Sequence, residues 1–250
     1  MRSSLHRLLV LGHRGYRARF PENTLLAFRE ALAAGADGIE CDLQKSADGR
    51  YVIIHDPSTE RVTGSRLDVG SSGSEELRAL DAGRGERLPF MEEMLSELPR
   101  GAYLDLELKE ETLVPEDAER IAGILDARIP RERLMISSFA LKLLVPFRKM
   151  GFTVGLLVGE ETAGRGLRGL ASDLFRLRPQ FVNLPVDMLA MLGSRRSALI
   201  FHILRFLGFS LLFWTVNSTE DAAAVAPDAR ILVTDEVETI LGAIRASKRN

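Results

Sequence analysis

The chain has 250 residues, 46% of them hydrophobic, enough to bury a full core in one large domain or two small ones. Its net charge of −2 argues against a nucleic-acid-binding surface, and its one cysteine, Cys41, excludes an intrachain disulfide. The longest apolar stretch, 199–214, is interrupted by His202, Arg205, Gly208 and Ser210 and falls short of the roughly 20 residues needed to cross a bilayer.

In chain order, residues 1–10 carry Arg2, His6 and Arg7, and a short apolar run leads straight into His13. Cleavage of a signal peptide would remove His13 and its neighbours, so a cytoplasmic location is expected, with His6 solvated. Apolar runs at 8–12, 38–43, 51–54, 103–108, 134–137, 153–158, 181–184, 210–216 and 231–234 predict strands. Helical patterns fall between them at 24–34, 91–98, 115–127, 141–150, 187–207 and 219–226. Asn23 or Thr24 suits the first N-cap and Gly35 its stop. This alternation predicts an α/β fold, a parallel sheet closed as a TIM-type (β/α)8 barrel, spanning 1–250 as a single domain.

Nine strands are one too many for that barrel. Asp48-Gly49 is a two-residue hairpin signal, which makes 51–54 an antiparallel arm. With that turn, Ala47 opposes Arg50 and Asp42 opposes His55. Residues 56–88, rich in Gly, Ser and charge with one helical pattern at 74–80, form an insertion after the strand ending at His55. Cys41, inside an apolar strand, reads as a small buried filler. His202 reads as a packed or capped helix residue, and the Met and Phe residues of 139–152 as core. Glu110-Glu111 and Glu160-Glu161 read as solvated loop charges, and 246–250 as a solvated tail.

Two histidines, His13 and His55, each end a predicted strand, beside Glu40 and Asp42. Glu40 and Asp42 are two apart on a strand and so share a face. Carboxylates facing a barrel interior repel each other unless a cation lies between them. On another strand Asp105, Glu107 and Lys109 share a face, either as a surface alternation of charge or with Glu107 bringing a third carboxylate, and all-oxygen donors favour Mg²⁺ or Ca²⁺ over zinc. Arg14 and Lys109 supply positive charge suited to phosphate oxygens. The set suits metal-assisted phosphoryl chemistry with imidazoles moving protons.

Four blocks in order carry a family resemblance: His13-Arg14-Gly15, Pro21-Glu22-Asn23-Thr24, Glu40-Cys41-Asp42 and His55-Asp56. Leu104 to Lys109, Trp214-Thr215-Val216-Asn217 and Val233-Thr234-Asp235 extend it over nearly the whole chain. In these blocks the chain resembles the glycerophosphodiester phosphodiesterase family. The resemblance implies hydrolysis of glycerophosphodiesters to an alcohol and sn-glycerol 3-phosphate. It implies His13 and His55 as the acid–base pair, and Glu40, Asp42 and Glu107 as ligands of a divalent metal. Arg14 and Lys109 would clamp phosphate, and Trp214 would wall the glycerol or simply pack the core. Glu22 would lie near Arg14 or cap the first helix. The inserted segment would cover the site. The pattern departs from the family at Val62, Phe90 and Val237, which touches lid and loop details only.

Two other readings compete. Lysophospholipids carry the same diester, and membrane contact through 199–213 or the insertion would accompany them, although no basic amphipathic helix makes it the default. A non-catalytic phosphate-ester-binding barrel has no use for two proton carriers. The partner expected is a small-molecule diester and not nucleic acid; the oligomeric state is open.

Overall fold

The computed structural model describes residues 7–159 and 164–247. Its strands are β1 (Leu9–His13), β2 (Gly38–Lys45), β3 (Tyr51–Ile53), β4 (Tyr103–Leu108), β5 (Leu134–Ser138), β6 (Val154–Leu157), β7 (Phe181–Pro185), β8 (Ser210–Trp214) and β9 (Ala229–Thr234). All but β3 pair in parallel, in the order β1-β9-β8-β7-β6-β5-β4-β2, and β1 pairs with β2 to close the ring. This is the expected eight-stranded TIM barrel. β3 hangs on the edge of β2 as the antiparallel arm.

The helices are α1 (Leu25–Ala33), α2 (Glu60–Thr63), α3 (Ser74–Ala79), α4 (Met91–Glu97), α5 (Ala118–Asp126), α6 (Leu141–Lys149), α7 (Gly166–Leu177), α8 (Met188–Leu192), α9 (Ser194–Phe206), α10 (Thr219–Val225) and α11 (Val237–Ser247). Strand period two divides the core. On β4, Leu104, Leu106 and Leu108 join the layer between sheet and helices, with α6's Phe147. Tyr103 instead meets Leu11, Met135, Phe181, Leu212, Ile231 and Val233 in a plug inside the barrel. Cys41 is buried, as its filler role requires.

The arm's register differs from expectation. Ser46 pairs with Arg50, its N–H donating to the Arg50 carbonyl at 2.9 Å, so the loop has three residues. Gly49 takes the left-handed conformation that ends such a loop (φ 80°). Leu43 opposes Ile53, and the Ile54 N–H donates to the Asp42 carbonyl. Asp42 therefore faces Ile54, not His55.

Four helix readings also change. The pattern over 187–207 is two helices, because Gly193 at φ 78° breaks the run. The stretch 115–127 starts with a 3₁₀ turn at Pro115–Asp117. α7 is an addition, and α11 carries the chain into the segment read as a tail. His202 is exposed on α9 rather than packed, and Phe139, 42% exposed after β5, is not core. His6, Glu160-Glu161 and 248–250 lie outside the described residues. In the insertion, Val69, Leu77, Ala82 and Leu88 pack on Val52, Ile54 and Phe90 as a small core of their own.

Candidate active site

The site sits at the carboxyl ends of the strands, where barrel side chains meet the βα-loops. β1 ends at His13, and the chain then turns through Arg14 in the left-handed region (φ 52°) and Gly15. Asn23 is also left-handed (φ 56°), which asparagine tolerates, and its N–H donates to the Arg14 carbonyl at 2.9 Å. The N-cap of α1 is Thr24, whose hydroxyl accepts from the Ala27 N–H. Glu22 is thereby free of capping and turns to cations instead.

β2 presents Glu40 and Asp42, and β4 presents Glu107. One oxygen of each lies within 4.8 Å of the others, which makes this trio a group able to hold a metal ion. Burial and the neighbouring Asp42 and Glu107 push the Glu40 carboxyl well above its usual range. Glu40 Oε2 accepts from the Arg14 N–H at 3.0 Å, whereas its buried Oε1 has no hydrogen-bond partner. Burial likewise pushes Glu107 up to about 7, despite its contact with Lys109. Asp42 goes the other way. Burial raises it, but Lys109 at 2.9 Å, Arg14 at 3.3 Å and a 2.8 Å bond from the Asn23 amide outweigh burial and hold it ionised.

Each histidine is held through Nδ1 by a carboxylate: His13 by Asp235 at 2.7 Å, His55 by Asp56 at 2.6 Å. Asp235 is ionised, since bonds from His13 and Asn217 outweigh its burial. Asp56 is kept ionised in the same way by Arg61 and His55. A carboxylate can only accept, so Nδ1 carries hydrogen and Nε2 is the free nitrogen. His13 Nε2 lies 3.9 Å from Glu40 Oε2. Burial, with Lys109 and Arg14 nearby, lowers the His55 pKa. The Gln44 amide donates to the carbonyls of Ile54, His55 and Asp56, fixing the chain that carries His55.

Glu22 gathers three arginines: Arg14 at 2.8 Å, Arg17 at 2.9 Å and Arg61 through both terminal guanidinium nitrogens. Burial opposes its ionisation, but the bonds from Arg61 and Arg14 hold it at about 2. Arg61 also reaches Asp56, so the insertion is tied to the groups beside both Arg14 and His55.

These side chains border a cleft of about 290 Å³. His13, Arg14, Glu40, His55 and Glu107 line its polar side; Phe139, Leu157, Leu212 and Trp214 line the apolar one. Phe139 meets Trp214 edge to face with ring centroids 5.8 Å apart. Every sequence-predicted site residue is thus at this end of the barrel, although Asp42, Lys109 and Glu22 stand behind the cleft lining. Asp235, Asp56, Arg17 and Arg61 are further members to which the sequence alone assigns no part in the site, and Asn23 and Phe139, read from sequence as a cap candidate and as core, join them. The adjacent His-Asp pair and the Thr-Asp ending β9 were the available signals.

A closed parallel barrel with histidines, carboxylates and cations at its strand ends defines a TIM-barrel enzyme. Residues 13–239 match the glycerophosphoryl diester phosphodiesterase family, and the chain belongs to it. It is 30% identical over 249 residues to a glycerophosphodiester phosphodiesterase of Caldanaerobacter subterraneus subsp. tengcongensis, covering 95% of this chain and 98% of that one. A glycerophosphodiester phosphodiesterase from Thermotoga maritima superposes with a TM-score of 0.81 at 29% identity, covering 95% and 98% of the two chains. An Oleispira antarctica phosphodiesterase, solved with the product sn-glycerol-3-phosphate, gives 0.82 at 25% identity over 95% and 96%. Among the described residues no helix is long and apolar enough to cross a membrane.

Proposed function

We propose that, within the phosphodiesterase activity of its family, this chain cleaves glycerophosphodiesters to an alcohol and sn-glycerol 3-phosphate by proton transfer through His13 and His55, with a divalent cation, Mg²⁺ or Ca²⁺, at Glu40, Asp42 and Glu107. The observation that carries the reading is two histidines, each anchored through Nδ1 by a carboxylate, standing beside three converging carboxylates. The trio fits a hard cation: three oxygen donors converge, and Glu40 Oε1 is buried without a partner. When bound, the cation neutralises phosphoryl charge and lowers the pKa of a hydroxyl beside it.

The chain's own residues supply the rest. Arg14, braced by Glu22 and Asp42, sets a guanidinium against the phosphate, and Lys109 adds a compact charge behind it. The substrate's 2-hydroxyl attacks phosphorus, and one imidazole takes its proton at Nε2. The other imidazole gives a proton to the leaving alcohol, and a cyclic phosphate forms. Water then opens the ring with the two roles reversed. Trp214 and Phe139 wall the glycerol side of the cleft. Residues 56–88 are tied to the group that braces Arg14 through the Arg61–Glu22 pair.

The test is a diester that lacks the internal nucleophile. Proximity of a well-placed hydroxyl is worth roughly 7–11 kcal/mol in the best-oriented cases. A 2-deoxy or 2-O-methyl glycerophosphodiester should bind as a competitive inhibitor yet turn over at least about a hundredfold more slowly. Comparable kcat for parent and deoxy substrates would overturn internal attack.

A further inference from the structure

We propose that the barrel flank built by α7, α8 and α9 docks on an anionic lipid bilayer. The helix α9 has two apolar faces. Ser197, Phe201 and Leu204 point inward and are buried, with Phe201 edge-on to Phe213 of β8. At the spacing of the opposite face stand Leu199, Ile203 and Phe206, all exposed, Phe206 to 84%. A single-faced surface helix would carry polar residues there.

The second apolar face does not stand alone. Phe175 on α7 is 74% exposed, and Met191 on α8 is 76% exposed. Between α7 and α9 runs a groove of about 620 Å³ lined by Leu170, Leu174, Phe175, Ile200, Ile203 and Leu207 among others. Exposed apolar surface of this extent marks an interaction site. α8 follows β7, so the stripe starts at the cleft's end of the barrel and descends along its side.

Charge selects the occupant. Residues 164–210 carry seven arginines against two aspartates, a balance of +5, in a chain whose net charge is −2. One of the aspartates, Asp173, is buried and paired with Arg165. Arg195 and Arg196 are exposed at the start of α9, beside the apolar stripe. Two copies set face to face would oppose these arginines to each other. An anionic bilayer instead accepts the apolar side chains at its boundary and the guanidinium groups among its headgroups.

The docking is independent of the chemistry assigned to the cleft, and vesicle cosedimentation of the full chain tests it. Phosphatidylcholine vesicles containing phosphatidylserine should bind about tenfold or more tightly than phosphatidylcholine alone, and added salt should weaken the binding. The double variant Phe175→Ser/Phe206→Ser and, separately, Arg195→Gln/Arg196→Gln should each lose it. Both should keep the parental melting temperature and the parental rate on a water-soluble glycerophosphodiester. No binding, or equal binding to both vesicle types, would overturn the proposal. So would a dimer, seen by sedimentation velocity and broken by the phenylalanine substitutions, in a chain that ignores vesicles.

Discussion

The two ends of the barrel interior are built by the same strands, and on β1, β4 and β9 they contrast in residue type, apolar at the base and charged at the mouth. β4 runs from Tyr103 through Asp105 and Glu107 towards Lys109; β1 runs from Leu9 and Leu11 to His13; β9 runs from Ile231 and Val233 to Asp235 just beyond it. The base is a dry plug of Leu11, Tyr103, Met135, Phe181, Leu212, Ile231 and Val233. The mouth holds buried carboxylates whose protonation is pushed in opposite directions within one strand, Glu40 up and Asp42 down. The plug supplies burial free energy. The mouth offsets some of it, since like charges are gathered out of water to do chemistry.

Substitutions should separate the two ends. The largest effect is expected at the mouth: His13→Ala and His55→Ala should each lower kcat by on the order of 10² to 10⁴ with the melting temperature little changed. A folded variant with near-parental kcat would strip that histidine of its role. At the base, Leu11→Ala should cost about 2–5 kcal/mol in chemical denaturation while kcat of the folded enzyme stays near parental. A base variant that kept its stability and lost activity would erase the contrast.

Smaller effects lie in pH dependence. Glu40 is raised, and Asp105 and Glu107 are pushed up to about 7, by burial first of all. For Asp105 and Glu107 the stability from this shift is full below about pH 4, their unfolded range, and is lost as pH rises through about 7; Glu40 acts in the same direction. The chelated protein should therefore melt lower at about pH 8 than at about pH 5, and the melting-temperature gain from Mg²⁺ or Ca²⁺ should grow over that interval. A gain independent of pH would detach the cation from these carboxylates. Glu22, held at about 2, has the opposite sign: its contribution is present above about 4.5 and is lost as pH falls towards 2. Glu22→Gln should flatten the acid limb of the stability curve, the smallest change of the set. An unaltered acid limb would show that its three arginines stabilise little.

The dry parts were the most legible. Each strand is a short apolar run with turn residues at its ends, so strand count and barrel closure follow from pattern alone. The hairpin register did not, because Asp48-Gly49 sits equally well in a two-residue turn and in the three-residue loop that Ser46 and Arg50 close. α7 was hidden by Gly166 and Gly169, and the break at Gly193 by the apolar residues around it. In the site, the histidines and acids were visible as motif residues. The supporting contacts were less so: Asp235 reaches His13 only because β9 and β1 meet in the closed barrel, 222 residues apart in sequence. The outward apolar face of α9 was masked by its inward one, since both contribute to the same apolar run.

Cation binding at the mouth is decided by titrating exhaustively chelated protein with Mg²⁺ and Ca²⁺ and reading the rate on a glycerophosphodiester. No turnover is expected without cation, saturable recovery with it, and at least about tenfold weaker apparent affinity in Glu40→Gln and Glu107→Gln. Full activity after chelation, with no metal found by elemental analysis, would contradict it.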